Sequence, residues 1–338
     1  MTDIHFKSYI IGKKVERDYC EDAWAVNLDC TRFAVADGVS NSFRPELVSS
    51  FLVKEFVEND VAVVDWSKQL SAETGRKLKK SWKEGVKNFL NRFEGFEREI
   101  QELRLQNVGA GASTFCGVVI NTESNSLDYA VLGDSCLFII NKDEKFDILT
   151  SCKKHKEGKG WSVDFTNTPA CIQVGNYESV SVESWRIGSA TLQTGYILLM
   201  TDGVSQWFLQ ELSKGSRDIT EYLWSVLDNY EEFTNYVVKC RQEGSPLSDD
   251  ITILMIKVTL PEDTQSELPD KSIYKEDLEM SYTVEDTSVA SVNKIDKKDT
   301  IAIPTDITEK AEGKRSDRFG KLKYIISKII SFNGYRRK

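Results

Sequence analysis

Apolar and polar positions along the chain fall into two rhythms, short strand-length apolar runs and longer stretches with helical spacing. Strand-length runs fall at residues 8–12, 23–26 and 33–36, and the last of these ends at once in Asp37-Gly38. Over residues 44–57, Val48, Leu52 and Phe56 recur every fourth position, with Pro45 suited to a first turn, so a helix is predicted there. A longer helical stretch is predicted over 66–105. Trp82, Val86, Phe89, Leu90, Phe93, Ile100 and Leu103 mark its buried face, and Gly75, Gly85 and Gly95 break or kink it. Its aromatic stripe reads as core packing. Strands resume over 111–120, 127–134 and 137–140. Residues 153–160 form a basic, glycine-bearing loop, read as solvated surface with substrate steering as the alternative. Residues 161–177 have no clear period and read as a surface flap. Strands follow at 180–185 and 196–201, a mostly helical stretch at 209–240 interrupted near Gly215, and a closing strand at 251–260. Strands, helices, strands, helices and a last strand, with few signs of βαβ units, predict antiparallel sheets carrying helices on their outer faces.

Composition narrows the chemistry. The chain has 338 residues, 40% of them hydrophobic, enough for a sizeable core, and a formal charge of -9 that argues against nucleic acid as the main ligand. No apolar run approaches the roughly 18 residues of a membrane span, and no secretory leader pattern opens the sequence. Seven cysteines, never spaced as CxxC, read as reduced thiols of a cytoplasmic protein. With only two histidines, any metal chemistry must rest on carboxylates, which favours magnesium or manganese over zinc.

Composition changes again at Pro261. Residues 1–260 read as one folded domain. Between 261 and 304 the only aromatics are Tyr274 and Tyr282 amid charged and hydroxylated residues, so a mostly disordered linker is expected. Residues 305–338 form a basic tail whose 321–332 stretch fits a short amphipathic helix. Such a helix suits peripheral contact with an anionic membrane, docking on an acidic partner, or rest on the chain's own acidic domain.

The apolar runs also mark where the chemistry falls. Asp37-Gly38 and Asp202-Gly203 follow such runs, and Asp249-Asp250 precedes one. Alone, each Asp-Gly pair reads as a turn. Together with Glu21-Asp22 and Gly133-Asp134-Ser135 they form a set of carboxylates beside strand ends. Unpaired charges there are costly, and bound cations are a common remedy.

The ordered motifs resemble those of the metal-dependent serine/threonine protein phosphatases of the 2C type, in bacterial form. The resemblance runs through Arg17 with Glu21-Asp22, Ala36-Asp37-Gly38, Gly111-Ala112-Ser113-Thr114, Gly133-Asp134-Ser135, Thr201-Asp202-Gly203 and Asp249-Asp250-Ile251-Thr252. It implies a four-layer αββα sandwich of two antiparallel sheets flanked by helices. It further implies hydrolysis of phosphoserine and phosphothreonine in proteins, by a water or hydroxide bridging two Mg2+ or Mn2+ ions. In that reading Asp37 bridges both metals, Asp202 and Asp249 hold one, and Glu21 with the Gly38 carbonyl holds the other. Asp22 acts through metal-bound water, and Arg17 grips the substrate phosphate as a catalytic residue. Asp134 with Asp202 offers a third metal site, weakened because Gln206 stands where the family often has another Asp. Val39 excludes a histidine general acid next to Asp37-Gly38, which leaves water to protonate the leaving group. Cys136 replaces the usual arginine after Gly-Asp-Ser. The implied partners are a phosphoprotein and a cognate serine/threonine kinase. Two alternatives stay open, a catalytically inactive pseudophosphatase and a phosphatase of small phosphorylated metabolites.

Overall fold

In the computed structural model, residues 2–13, 20–70, 72–143, 145–157, 160–165, 168–180, 182–214 and 219–261 are described. Three strands open the chain, Asp3–Ile11 (β1), Ala23–Val26 (β2) and Arg32–Ala36 (β3). Four helices follow, Glu46–Glu58 (α1), Val63–Leu70 (α2), Glu73–Leu90 (α3) and Gly95–Val108 (α4). The middle of the chain is strand-rich: Ala112–Ser113 (β4), Phe115–Asn121 (β5), Ser126–Leu132 (β6), Cys136–Asn141 (β7), Phe146–Leu149 (β8), Lys154–Glu157 (β9), Gly160–Val163 (β10) and Ile172–Gln173 (β11). The described part closes with Trp185–Thr191 (β12), Gly195–Met200 (β13), helices Asp202–Ser213 (α5), Ile219–Val226 (α6) and Tyr230–Gln242 (α7), and the strand Ile251–Thr259 (β14).

Two five-stranded antiparallel sheets form the frame, in the orders β1-β14-β13-β7-β8 and β12-β6-β5-β3-β2. Side chains alternate across each sheet, so each strand feeds two cores. Phe33, Val35 and Val118 from one sheet meet Leu137, Leu199, Leu254 and Ile256 from the other in the central layer. On the outer face of the first sheet, Phe138, Leu198 and Ile253 pack with Trp207, Phe208, Leu223 and Phe233 of α5, α6 and α7. On the other outer face, Ala34, Phe115 and Ala130 pack with Leu52, Phe56, Trp66, Leu78 and Trp82 of α1, α2 and α3. Four layers result, the sandwich the motifs imply. The three buried side chains Phe56, Trp66 and Phe115 lock the second outer layer, with ring centroids 4.6–5.2 Å apart.

Several expectations need correction. The stretch over 66–105 is broken into α2, α3 and α4; one break falls at Gly95 as expected, where α4 begins at a φ of 51°, but the other falls before Glu73 and not at Gly75 or Gly85. Gly75 and Gly85 lie inside α3, where Gly75 admits Tyr177 and Gly85 admits Leu47; a Cβ would meet these rings and branches at 2.2 Å and 2.7 Å. Small side chains here serve close approach, not a kink. α4 has no buried residue, so Ile100 and Leu103 do not face a core. The strand expected at 180–185 is displaced: residues 182–184 form a 3-10 turn and β12 begins at Trp185. The basic loop at 153–160 contributes to the antiparallel hairpin β9–β10. α5 starts at Asp202, seven residues before the predicted helix. The expected linker beyond Pro261 and the tail at 305–338 lie outside the described residues. Among those residues, no helix is long and apolar enough to cross a membrane.

Candidate active site

Strand register gathers the carboxylates at one end of the sandwich. Ala23 pairs with Ala36, so Glu21-Asp22 entering β2 lie beside Asp37-Gly38 leaving β3. Met200 pairs with both Cys136 and Ile253, which sets Asp202 near Gly133-Asp134-Ser135 and Asp249-Asp250. Ile11 pairs with Ile251, so β1 delivers Lys13 to the same end. Five motif segments and Lys13, far apart in sequence, thus reach one end of the sandwich, aligned by antiparallel pairing within each sheet and brought together by the packing of the two sheets.

Backbone hydrogen bonds fix the turn after β3. Thr114 N–H and the Ser113 hydroxyl both donate to the Asp37 carbonyl, at 2.9 Å and 2.8 Å, and Val39 N–H donates to Ala112 O at 3.0 Å. Gly38 bridges to Ser113, and a Cβ there would meet the Glu21 carbonyl at 2.5 Å and Pro45 at 2.9 Å. Glycine lets β2 and α1 close on this turn. The Glu21 carbonyl accepts from Ser49 of α1 at 2.6 Å, and its side chain accepts from the Ser40 hydroxyl at 2.6 Å.

A second scaffold surrounds Asp249. The Asp250 carboxylate accepts the Lys13 and Glu21 backbone N–H groups, each at 2.6 Å, one on each oxygen. From α7, Arg241 donates to Gly12 O at 2.9 Å, Leu247 O at 2.7 Å and Asp249 O at 2.7 Å. Thr252 N–H donates to Thr201 Oγ1 at 3.1 Å, which joins the entry of β14 to the exit of β13.

The electrostatics are those of charges held without enough counter-charge. Asp22 is 5% exposed and neither of its carboxylate oxygens has a hydrogen-bond partner; Asp134 Oδ1 is likewise buried and unpartnered. Burial, then the Asp250 charge, raises the Asp22 carboxyl well above the usual carboxylate range. Burial, then Asp22 and Asp202, does the same for Asp37. Asp134 is pushed up to about 7 by burial and by Asp202. Asp202 and Asp250 rise mainly through burial, opposed by backbone N–H donors. Lys13 Nζ approaches Glu21 Oε2 at 3.3 Å, Asp249 Oδ1 at 3.2 Å and Ser40 Oγ at 2.9 Å. Burial works against its charge, but Asp249, Glu21 and Asp250 outweigh that and hold its proton well above the lysine range.

This donor set fits divalent cations. Orphaned, desolvated carboxylate oxygens at Asp22 and Asp134, flanked by Asp37 and Asp202, are hard ligands whose repulsion a small dication relieves. The carboxylates ring the site; among the described residues no three acid, thiol or imidazole side chains already close into a ligand group. Thiol chemistry has little support here. Burial pushes Cys136 up to about 12 and Cys152 up to about 11, so both carry their protons at neutral pH.

Of the residues expected at the site, Glu21, Asp22, Asp37, Gly38, Asp134, Asp202 and Asp249 meet at this end of the sheets, while Arg17 lies outside the described residues. Sequence reasoning assigned no part to Lys13, Ser40, Ser49, Asp250 or Arg241. Asp250 carried a signal, as the second acid of a strand-entry pair. Arg241 carried none, because its partners are carbonyls supplied by the fold.

The family model for protein phosphatase 2C matches residues 12–240, more than half of the chain. The chain belongs to the protein phosphatase 2C family. A comparison with curated protein sequences finds no match. Solved structures similar to this family member include PppA, a key regulatory component of T6SS in Pseudomonas aeruginosa. It shares 16% identity over 77% of this chain and 100% of that one, with a TM-score of 0.48. Serine/threonine phosphatase Stp1 from Staphylococcus aureus shares 14% identity over 77% and 96%, with a TM-score of 0.45. The catalytic domain of serine/threonine protein phosphatase PstP, in complex with two manganese ions, shares 13% identity over 77% and 100%, with a TM-score of 0.46. Likenesses this distant add nothing about chemistry.

Proposed function

We propose that this protein phosphatase 2C family member hydrolyses phosphoserine and phosphothreonine in proteins with two Mg2+ or Mn2+ ions. The supporting observation is the buried, unpartnered Asp22 carboxylate beside Asp37, in a ring of acids with the Lys13 ammonium on its rim. Two bound divalent ions would supply an acidified water and neutralise phosphate oxygens. Asp37 would hold both ions, Asp202 and Asp249 one, and Glu21 with the Gly38 carbonyl the other. Asp22 would orient water nearby, and Asp134 with Asp202 would offer a weaker third position. Without ions, the carboxylate charge of this ring repels a phosphate; filled, the same ring becomes attractive to it. Arg17 is assigned the phosphate, whose oxygens suit a guanidinium fork. Val39 offers no proton, so solvent protonates the leaving alkoxide.

We place the enzyme in the cytoplasm, where its seven free cysteines stay reduced, opposite a kinase acting on the same targets. Purified full-length protein should release phosphate from a phosphothreonine peptide with manganese and stop on chelation. Manganese binding without turnover would replace this reading with a pseudophosphatase. A much faster rate on a small phosphorylated metabolite than on any phosphopeptide would move the substrate class.

A further inference from the structure

Lys13 occupies a place where a bound dication would be expected to act. Its ammonium spans Glu21 at the entry of β2, in one sheet, and Asp249 at the entry of β14, in the other, at 3.3 Å and 3.2 Å. Ser40 accepts from the same ammonium at 2.9 Å and donates to the same Glu21 oxygen at 2.6 Å. The residue is also held at its backbone, where its N–H donates to Asp250 at 2.6 Å. A lysine so tied at both ends is a fixed part of the site, unlike a surface lysine that samples solvent.

We propose that Lys13 is an internal counter-cation that competes with divalent metal for Glu21 and Asp249. This inference rests on the reading of those two acids as metal ligands. A dication taking the same oxygens must displace the ammonium or tolerate it at close range, and both lower its net affinity. The metal-free protein is correspondingly protected, because the ammonium neutralises part of the acidic ring and keeps the two sheet ends together. Lys13 therefore raises the metal concentration at which the centre fills. By linkage, bound metal weakens the lysine contacts by the same factor by which those contacts weaken metal binding.

The test is calorimetric titration of the chelator-stripped, full-length protein with manganese chloride, alongside thermal unfolding of the metal-free form. The Lys13→Met variant keeps the length and apolar stem of the side chain without its charge. It should bind manganese about tenfold more tightly than the native chain, the scale of a partly exposed double ion pair. Its metal-free form should melt at lower temperature and gain more from added manganese. Lys13→Arg, which keeps the charge, should bind within about threefold of native. Lys13→Gln serves as a second neutral variant if methionine disturbs folding. Equal or weaker manganese binding in the neutral variants overturns the proposal. Failure of native and variant chains alike to bind manganese overturns the reading of the acids as ligands.

Discussion

Arg241 Nη2 donates to the main-chain carbonyl of Asp249 at 2.7 Å. A helix on the outer face of one sheet thereby fixes the backbone of a residue in the acidic ring. The same guanidinium holds Gly12 and Leu247 carbonyls, so three chain segments meet on one planar fork. Replacing it with lysine leaves at most part of that geometry. Arg241→Lys should lower manganese affinity severalfold and destabilise the fold by about 1–3 kcal/mol. Titration calorimetry and urea unfolding check the two effects, and unchanged metal affinity would reduce Arg241 to a structural role.

Asp250 works at the other side of that loop. It accepts from Lys13 and Glu21 N–H, the residues on either side of the connection that carries Arg17. Asp250→Ala leaves two donors unpaired, whereas Asp250→Asn keeps one acceptor oxygen. Peptide turnover should therefore fall in the order native, asparagine, alanine, with the loss concentrated in kcat/KM. Steady-state kinetics on a phosphothreonine peptide check the order; equal rates for both variants would contradict it.

The raised proton affinity of Asp134 gives a pH signature to the metal-free protein. Its folded value of about 7 exceeds the ordinary carboxylate value, so the folded state binds the extra proton. Stability from that proton is fully present below about pH 4 and is lost as pH rises to about 7. Asp134→Asn should leave metal-free stability unchanged near pH 4 and raise it above pH 7, by up to a few kcal/mol. Denaturant titrations of both chains across that range, in chelator, give the difference directly. A difference independent of pH would contradict the assigned burial.

The parts of this molecule that could be read from sequence are those whose cause is local. β3 ending in Asp37-Gly38 was legible because a buried apolar run followed by an acid and a glycine has few other outcomes. Antiparallel sheets with helices on their outer faces followed from the grouping of strand and helix signals, and the four-layer order from the resemblance carried by the motifs. α4 misled, because Ile100 and Leu103 keep helical spacing while the helix buries none of its residues. β12 was displaced because Val180 and Val182 look like strand residues, yet the pairing of Trp185 with Leu132 sets where the ladder begins. In the site, the acids were legible as a set, whereas their positioning was not. Lys13 reads as a loop lysine and Arg241 as a polar face of a helix. Their roles depend on partners some 230 positions away in sequence.

The central claim is that Asp37 anchors a divalent-cation centre that hydrolyses phosphothreonine. It is tested most directly by Asp37→Asn, which keeps the shape of the side chain and removes its charge, assayed for manganese-dependent phosphate release from a phosphothreonine peptide. The native chain should turn over only with metal. The variant should lose at least about a hundredfold in rate, while its circular dichroism stays native. A variant that retains manganese-dependent turnover close to native would contradict the account.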